Sequence, residues 1–404
     1  MPLKLLTAIA LAVLGLCAAL ALPTNAKEGD PGVSNTEIVV GGTAPFSGPA
    51  SAYGVVLKSA AAYFTMINEQ GGINGRKIKF IVADDGYSPP KTVEQTRRLV
   101  ESDNVFMMFL SIGTATNLAV RKYLNTKKIP QLFVATGSSA FTDYKSYPWS
   151  MPGLPTFITE GAVFARYLRQ NFQSAKVGLL YQNDDFGKEY LGGVREGLGE
   201  KGKSMLVGAQ SYEVTDPTID SQLIALKTAG ADTLILATTP KFGAQAIRQA
   251  RNIDWRPRIL ISYASASVSQ VLQPAGAEPG IITSLSHRDP TDPSQQEDAG
   301  YKAWVAFMNK YVPDGRKDDL LNVVGYDNAM ALVHILRQSG STVTRESVLR
   351  QATHLDLQLP MMVDGVRLKT SPTNYVTIPS LRLAKYDGKV FRAFGDVITT
   401  SDEK

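Results

Sequence analysis

From residue 37 onward, short apolar runs alternate with longer stretches in which apolar positions recur every three or four residues. The runs at 37–43, 77–83, 105–110 and 131–135 are rich in Val, Ile and Phe and have the length of buried strands. Between them, 55–69, 91–102 and 117–125 carry the helical period. The first of these stops at Gly71-Gly72, and the second carries Val93, Leu99 and Val100. This alternation predicts a parallel sheet covered by helices on both faces. Past the prolines of 148–155 the pattern restarts, with strands at 176–181, 205–212, 232–237 and 258–262 and helices at 187–199, 219–229 and 242–252. Two such runs predict two similar α/β lobes. The tail changes character, with helices at 326–337 and 345–354 and strand-like pieces at 375–383 and 389–397. It cannot form a third α/β core and is expected to return and complete both lobes.

Composition adds compartment and partners. With 404 residues, 44% of them hydrophobic, the chain can bury a large core. Its formal charge of +5 is scattered, with no basic cluster or aromatic-basic stripe, so a solvated surface is the better reading and nucleic acid is excluded as a partner. Lys4, an apolar run over 5–22 and Thr24-Asn25-Ala26 have the layout of a secretory signal cut after Ala26, favoured over a membrane anchor by the alanine-rich run and the small-residue site. Cys17, the single cysteine, follows Leu16 and not the small residue that a lipoprotein signal requires. The mature chain, starting at Lys27, is thus expected in the periplasm without a disulfide, thiolate metal site or cysteine nucleophile.

Chemistry-bearing motifs are few. Gly197, Gly199 and Gly202 spell GxGxxG but stand at the end of a helix, whereas a dinucleotide fingerprint follows a strand and opens one. They read as cap and turn glycines. His287, His334 and His354 are far apart in sequence, and Asp84-Asp85 and Asp184-Asp185 each precede a glycine as turn and cap residues do. No GxSxG or HExxH pattern exists, so no catalytic residue, metal or cofactor is expected. What repeats is a short Gly/Ser/Thr segment after a strand: 41–43, 111–116 and 136–139. Strand ends in open α/β sheets are where ligands bind, and small hydroxyl residues there let a carboxylate approach helix N–H groups. Tyr53, Phe186 and Tyr263 follow strands at comparable positions and point to an apolar cleft with a few polar anchors.

Gly42-x-x-Pro45-x-Ser47-Gly48, Tyr53-Gly54, Ile67-Asn68-x-x-Gly71-Gly72-Ile73-Asn74-Gly75-Arg76 and Asp84-Asp85 resemble the leucine/isoleucine/valine-binding family of periplasmic receptors, and Tyr181-x-x-x-Asp185-x-Gly187 and Gly325-Tyr326-Asp327 extend the likeness over the mature chain. The resemblance implies a type I periplasmic-binding fold, two doubly wound parallel-sheet lobes joined by three crossovers near 155, 285 and 359. The lobes would be 27–155 plus 286–358 and 156–285 plus 359–404. It implies a monomeric receptor, not an enzyme, that carries a small carboxylate to the membrane permease subunits of an ABC importer. The family's carboxylate loop matches Ile112, Gly113 and Thr114, and its second hydroxyl loop Thr136, Gly137 and Ser138. Its aromatic positions match Tyr53 and Phe186, and an opposite-lobe polar position falls at Thr238 or Thr239. One departure matters: amino-acid binders place an acid after the strand at 258–262, where this chain has Ser262-Tyr263-Ala264-Ser265. That argues against a free amino acid and toward an aromatic acid. A branched-chain amino-acid receptor using Asp184 for the ammonium is the nearest alternative, and a hydrolase or sensor module on the same fold the more distant one.

Overall fold

A computed structural model describes residues 30–399; the signal segment, with Cys17 and the cut after Ala26, lies outside the described residues. Five strands, β1 (Glu37–Ala44), β2 (Lys77–Asp84), β3 (Met107–Phe109), β4 (Gln131–Val134) and β5 (Ser150–Pro152), pair in parallel in the order β2-β1-β3-β4-β5. Helices α1 (Gly54–Glu69), α2 (Pro89–Glu101) and α3 (Thr114–Thr126) connect them. Because successive strand residues point to opposite faces, Met107 and Phe109 join one apolar cluster and Met108 the other, so helices cover both faces.

The second sheet repeats the plan. β6 (Val177–Gln182), β7 (Leu206–Tyr212), β8 (Thr233–Ala237), β9 (Arg258–Ile261) and β10 (Ile282–Leu285) run in parallel in the order β7-β6-β8-β9-β10. Leu234 and Leu236 face α6 (Asp220–Thr228) and α7 (Pro240–Asn252), while Ile235 and Ala237 face α4 (Phe157–Asn171) and α5 (Asp185–Gly202). The tail contributes to both layers. Helices α8 (Ala299–Tyr311), α9 (Leu320–Gln338) and α10 (Arg345–Ala352) return to the first layer. There Tyr326 meets Tyr63 of α1 edge-on at 5.2 Å and Trp304 at 5.3 Å. A two-stranded ribbon, β11 (Asp356–Leu357) and β12 (Leu368–Lys369), follows. Then β13 (Ser380–Tyr386) extends the second sheet antiparallel to β10, and β14 (Phe391–Ala393) pairs antiparallel to β13.

The chain passes between layers three times. The first passage runs from β5 to α4. The second leaves β10 at 286–288, where it pairs with 361–363 through Val363 N–H to Ser286 O and Arg288 N–H to Met361 O. The third falls later than the 359 read from the sequence. Tyr375 still donates from its hydroxyl to Pro148 O at 3.1 Å and Thr377 Oγ1 to Pro152 O at 2.9 Å, so the chain leaves the first layer only at 378–379. Six elements, β5, α4, β10, α8, β11 and β12, have no counterpart in the sequence reading.

Candidate functional site

In both sheets the strand order reverses beside the first strand, and the crevice outside such a switch point is where open α/β sheets take ligands. There the C-terminal ends of the two sheets face one another across a cavity that, with the open space at its mouth, takes in about 790 Å³. From the first sheet, β3 leads into Ile112 and Gly113 and then directly into α3, whose first residue is Thr114. Gly113 sits at φ +101, and a Cβ there would come within 2.6 Å of Thr116 Oγ1 and 2.7 Å of Tyr87 Cε2. No side chain caps α3, so its first N–H groups remain available. Thr114 Oγ1 lies 2.7 Å from Thr136 Oγ1, and Thr136 Oγ1 accepts the Ser138 N–H at 3.1 Å. Tyr87 completes this end. It holds φ +63, a left-handed conformation that costs about 1–2 kcal/mol, pinned by its N–H donating to buried Asp85 at 2.9 Å.

The second sheet contributes rings. Phe157, the first residue of α4, lies 4.4 Å from Phe186 and stacks on Tyr263 at 5.8 Å and 16°. The Tyr263 hydroxyl donates to Pro155 O at 2.7 Å, so the residue lines the cavity without a hydroxyl proton to offer there. Below it lies Glu160, fully buried, accepting from Ser262 Oγ at 2.7 Å, Ser284 Oγ at 2.6 Å and Tyr263 N at 2.9 Å. Burial pushes its carboxyl up to about 7 despite these donors. His287, also at the cavity, is pushed down to about 4 by burial and is therefore neutral at pH 7, with Nδ1 3.0 Å from Ser286 Oγ.

Hydrogen bonds between the layers hold the cavity shut. Tyr53 OH donates to Ala264 O at 3.0 Å. Ser138 Oγ and Ser139 N donate to the two oxygens of Glu189 at 2.6 and 2.7 Å. On the far side Ser267 Oγ donates to Asp319 at 3.0 Å.

Of the ten residues picked from the sequence, the structure brings Tyr53, Ile112, Gly113, Thr114, Thr136, Phe186 and Tyr263 to the cavity. The other three stand behind it. Gly137 is where Pro155 O and the Tyr263 hydroxyl come so close that a Cβ has no room. Ser138 gives its hydroxyl to Glu189, and Thr238 Oγ1 pairs with Ser265 Oγ at 3.2 Å inside the second layer. Asp184 caps α5 by accepting the Gly187 N–H at 3.3 Å and is held by Gln182 Nε2 at 2.6 Å; it does not line the cavity. The sequence reading missed Tyr87, Phe157, Glu160, Ser284 and His287. Apolar spacing at 157, 158, 162, 163 and 168 was the available signal for the helix that carries two of them.

A sequence profile described as periplasmic binding protein matches residues 37–389. Leu/Ile/Val-binding protein homolog 7 of Brucella abortus (strain 2308) is 22% identical over 250 residues, spanning 60% of this chain and 62% of that relative's length. Among solved structures, a branched chain amino acid ABC transporter from Thermus thermophilus with bound valine superposes with a TM-score of 0.81 at 17% identity, covering 91% of this chain and 97% of that one. A fatty acid ABC transporter substrate-binding protein from Thermomonospora curvata gives 0.75 at 20% identity, covering 91% and 95%. Likenesses at these identities carry the fold.

Proposed function

The chain belongs to the periplasmic binding protein family, a family of solute-binding receptors, and from that premise we propose that it encloses a small organic acid, an aromatic one by preference, for delivery to an ABC importer of the branched-chain amino-acid class. The observation that carries this reading is the cavity lining, which contains no Asp, Glu, Lys or Arg. At one end the uncapped N-terminus of α3 and the hydroxyls of Thr114 and Thr136 suit a carboxylate, which the helix N–H groups and dipole stabilise. On the facing second layer the rings of Phe157, Phe186 and Tyr263 suit an apolar or aromatic body. An ammonium in the same space would be buried without an anionic partner lining it, at a cost of several kcal/mol.

The remaining parts of the proposal follow from that receptor role. The receptor is exported to the periplasm and cut after Ala26, and it acts as a monomer. Its lobes are 27–155 plus 286–377 and the rest, the last boundary being drawn from the Tyr375 and Thr377 bonds. Among the described residues no helix is long and apolar enough to cross a membrane.

A branched-chain amino-acid receptor is the second reading, favoured by the names of the relatives. The carboxylate proposed for its ammonium, Asp184, is taken up by Gln182 and Gly187. Calorimetric titration of stripped protein with hydroxybenzoates and phenylpropenoates, and with leucine and valine, separates the two. The acids are expected to bind more tightly. Micromolar leucine binding with no response to any aromatic acid would establish the second reading instead.

A further inference from the structure

The cavity lining carries a hydroxyl whose direction its surroundings dictate. Ser284 lies in β10 and lines the cavity, and its Oγ is 2.6 Å from Glu160 Oε1. The same Oε1 accepts the Tyr263 backbone N–H at 2.9 Å, while Ser262 Oγ takes Oε2 at 2.7 Å. A backbone N–H can only donate, so Oε1 is an acceptor, and a proton taken up by Glu160 belongs on Oε2. Ser284 therefore gives its single proton to Glu160 in either protonation state and turns only lone pairs toward the cavity. The hydroxyls of Tyr53 and Tyr263 cannot act as donors there, since both are given to the carbonyls of Ala264 and Pro155. The Ser284 hydroxyl thus accepts hydrogen bonds, unlike the neighbouring Ser286–His287 pair, which has a proton left to donate.

We propose that Ser284 is a specificity-determining residue that accepts a hydrogen bond from a hydroxyl borne by the ligand in addition to its carboxylate, with Glu160 as the positioning residue that aims it. The ligand class narrows to small organic acids bearing such an O–H donor. A methyl group or an ether oxygen at the same place leaves the Ser284 lone pairs unmet and is disfavoured. This inference rests on the organic-acid reading of the site.

The test is calorimetric titration of the stripped protein with matched trios of acids, benzoates and phenylpropenoates that carry hydroxyl, methyl or methoxy at one ring position. In at least one trio the hydroxyl acid should bind about tenfold or more tightly than its two partners. Ser284→Ala should reduce that preference to within about twofold. Glu160→Gln should keep it, because the amide oxygen can stay on the Tyr263 N–H with the amide nitrogen toward Ser262, whereas Glu160→Ala should lose it. If methyl or methoxy acids bind as tightly as the hydroxyl acid in every trio, the Ser284 inference is overturned while the acid reading stands. If no acid binds, the acid reading fails and the inference with it. The comparison of ligands needs no variant to fold.

Discussion

The two sheets share one strand order, β2-β1-β3-β4-β5 and β7-β6-β8-β9-β10, and both end at the cavity, yet the ends are finished differently. In the second layer the two helices whose first turns carry Phe157 and Phe186 to the cavity close their own N-termini, whereas α6 and α7, which send no residue to it, have no capping side chain. Thr156 caps α4 by accepting the Thr159 N–H, and Asp184 caps α5. In the first layer Asp319 does the same for α9, and α1 continues a tight 3-10 turn in which the Gly54 N–H bonds to Ser51 O. At α3 a glycine stands where a capping side chain would be. Equal topology therefore gives unequal chemistry. A self-capped helix presents whatever its first side chains are, here rings, while the uncapped one presents N–H groups that a ligand must satisfy.

Closing the open end should break the asymmetry most severely. Gly113→Ala puts a Cβ against Thr116 and Tyr87 at φ +101. We expect affinity for every acid to fall by about a hundredfold, as for two lost charge-assisted hydrogen bonds, with a further stability loss of about 1–2 kcal/mol. Titration and thermal unfolding of this variant measure both. Affinity near that of the parent would place the anion away from α3.

The other end buries a carboxylate, and its titration sharpens the contrast. Glu160 rises from the ordinary 4.5 to about 7 on folding. Below 4.5 it is neutral in both states. Between 4.5 and 7 the unfolded chain gives up its proton and the folded protein retains it, so the stability contributed at low pH is lost as pH rises through that window, by about 3 kcal/mol. Glu160→Gln should remove this component. The gap between the two unfolding curves should change steadily across the window and level off above it, with Asp184 and His287 cancelling because both proteins contain them. A constant gap would show that Glu160 does not titrate there.

Smaller effects separate lining hydroxyls from bracing ones. Thr114→Val should weaken binding by about tenfold through one lost bond to a charged oxygen. Ser138→Ala should act on closure instead, because that hydroxyl joins the layers through Glu189. Its affinities should drop by less than about threefold, equally for all acids, while small-angle scattering at saturating ligand shows a larger radius of gyration. A selective loss of acid binding in Ser138→Ala would return Ser138 to the cavity wall.

Local pattern made most of the fold legible. Buried strands such as β8 are continuous apolar runs, and α7 repeats its apolar positions at helical spacing, so both were read within a few residues. β10 was not, because Ile-Thr-Ser-Leu has too little apolar character to stand out, and its polar members matter only where they land. α4 was lost among the prolines that precede it, although Thr156 caps it regularly. The third passage was misplaced because Tyr375 and Thr377 bond to carbonyls of 148 and 152, more than two hundred positions away in the chain.

By itself the sequence determined that there are two α/β layers and that small Gly/Ser/Thr loops follow the strands of the first, since each follows from residues adjacent in the chain. Tertiary structure alone decided how the hydroxyls are shared out. Ser138 and Thr136 stand two places apart in one loop, yet one braces Glu189 and the other faces the cavity. Ser284 reaches Glu160 across 124 positions and so becomes an acceptor. A hydroxyl has one proton to give, and which partner receives it depends on groups brought near by folding, which no local periodicity encodes.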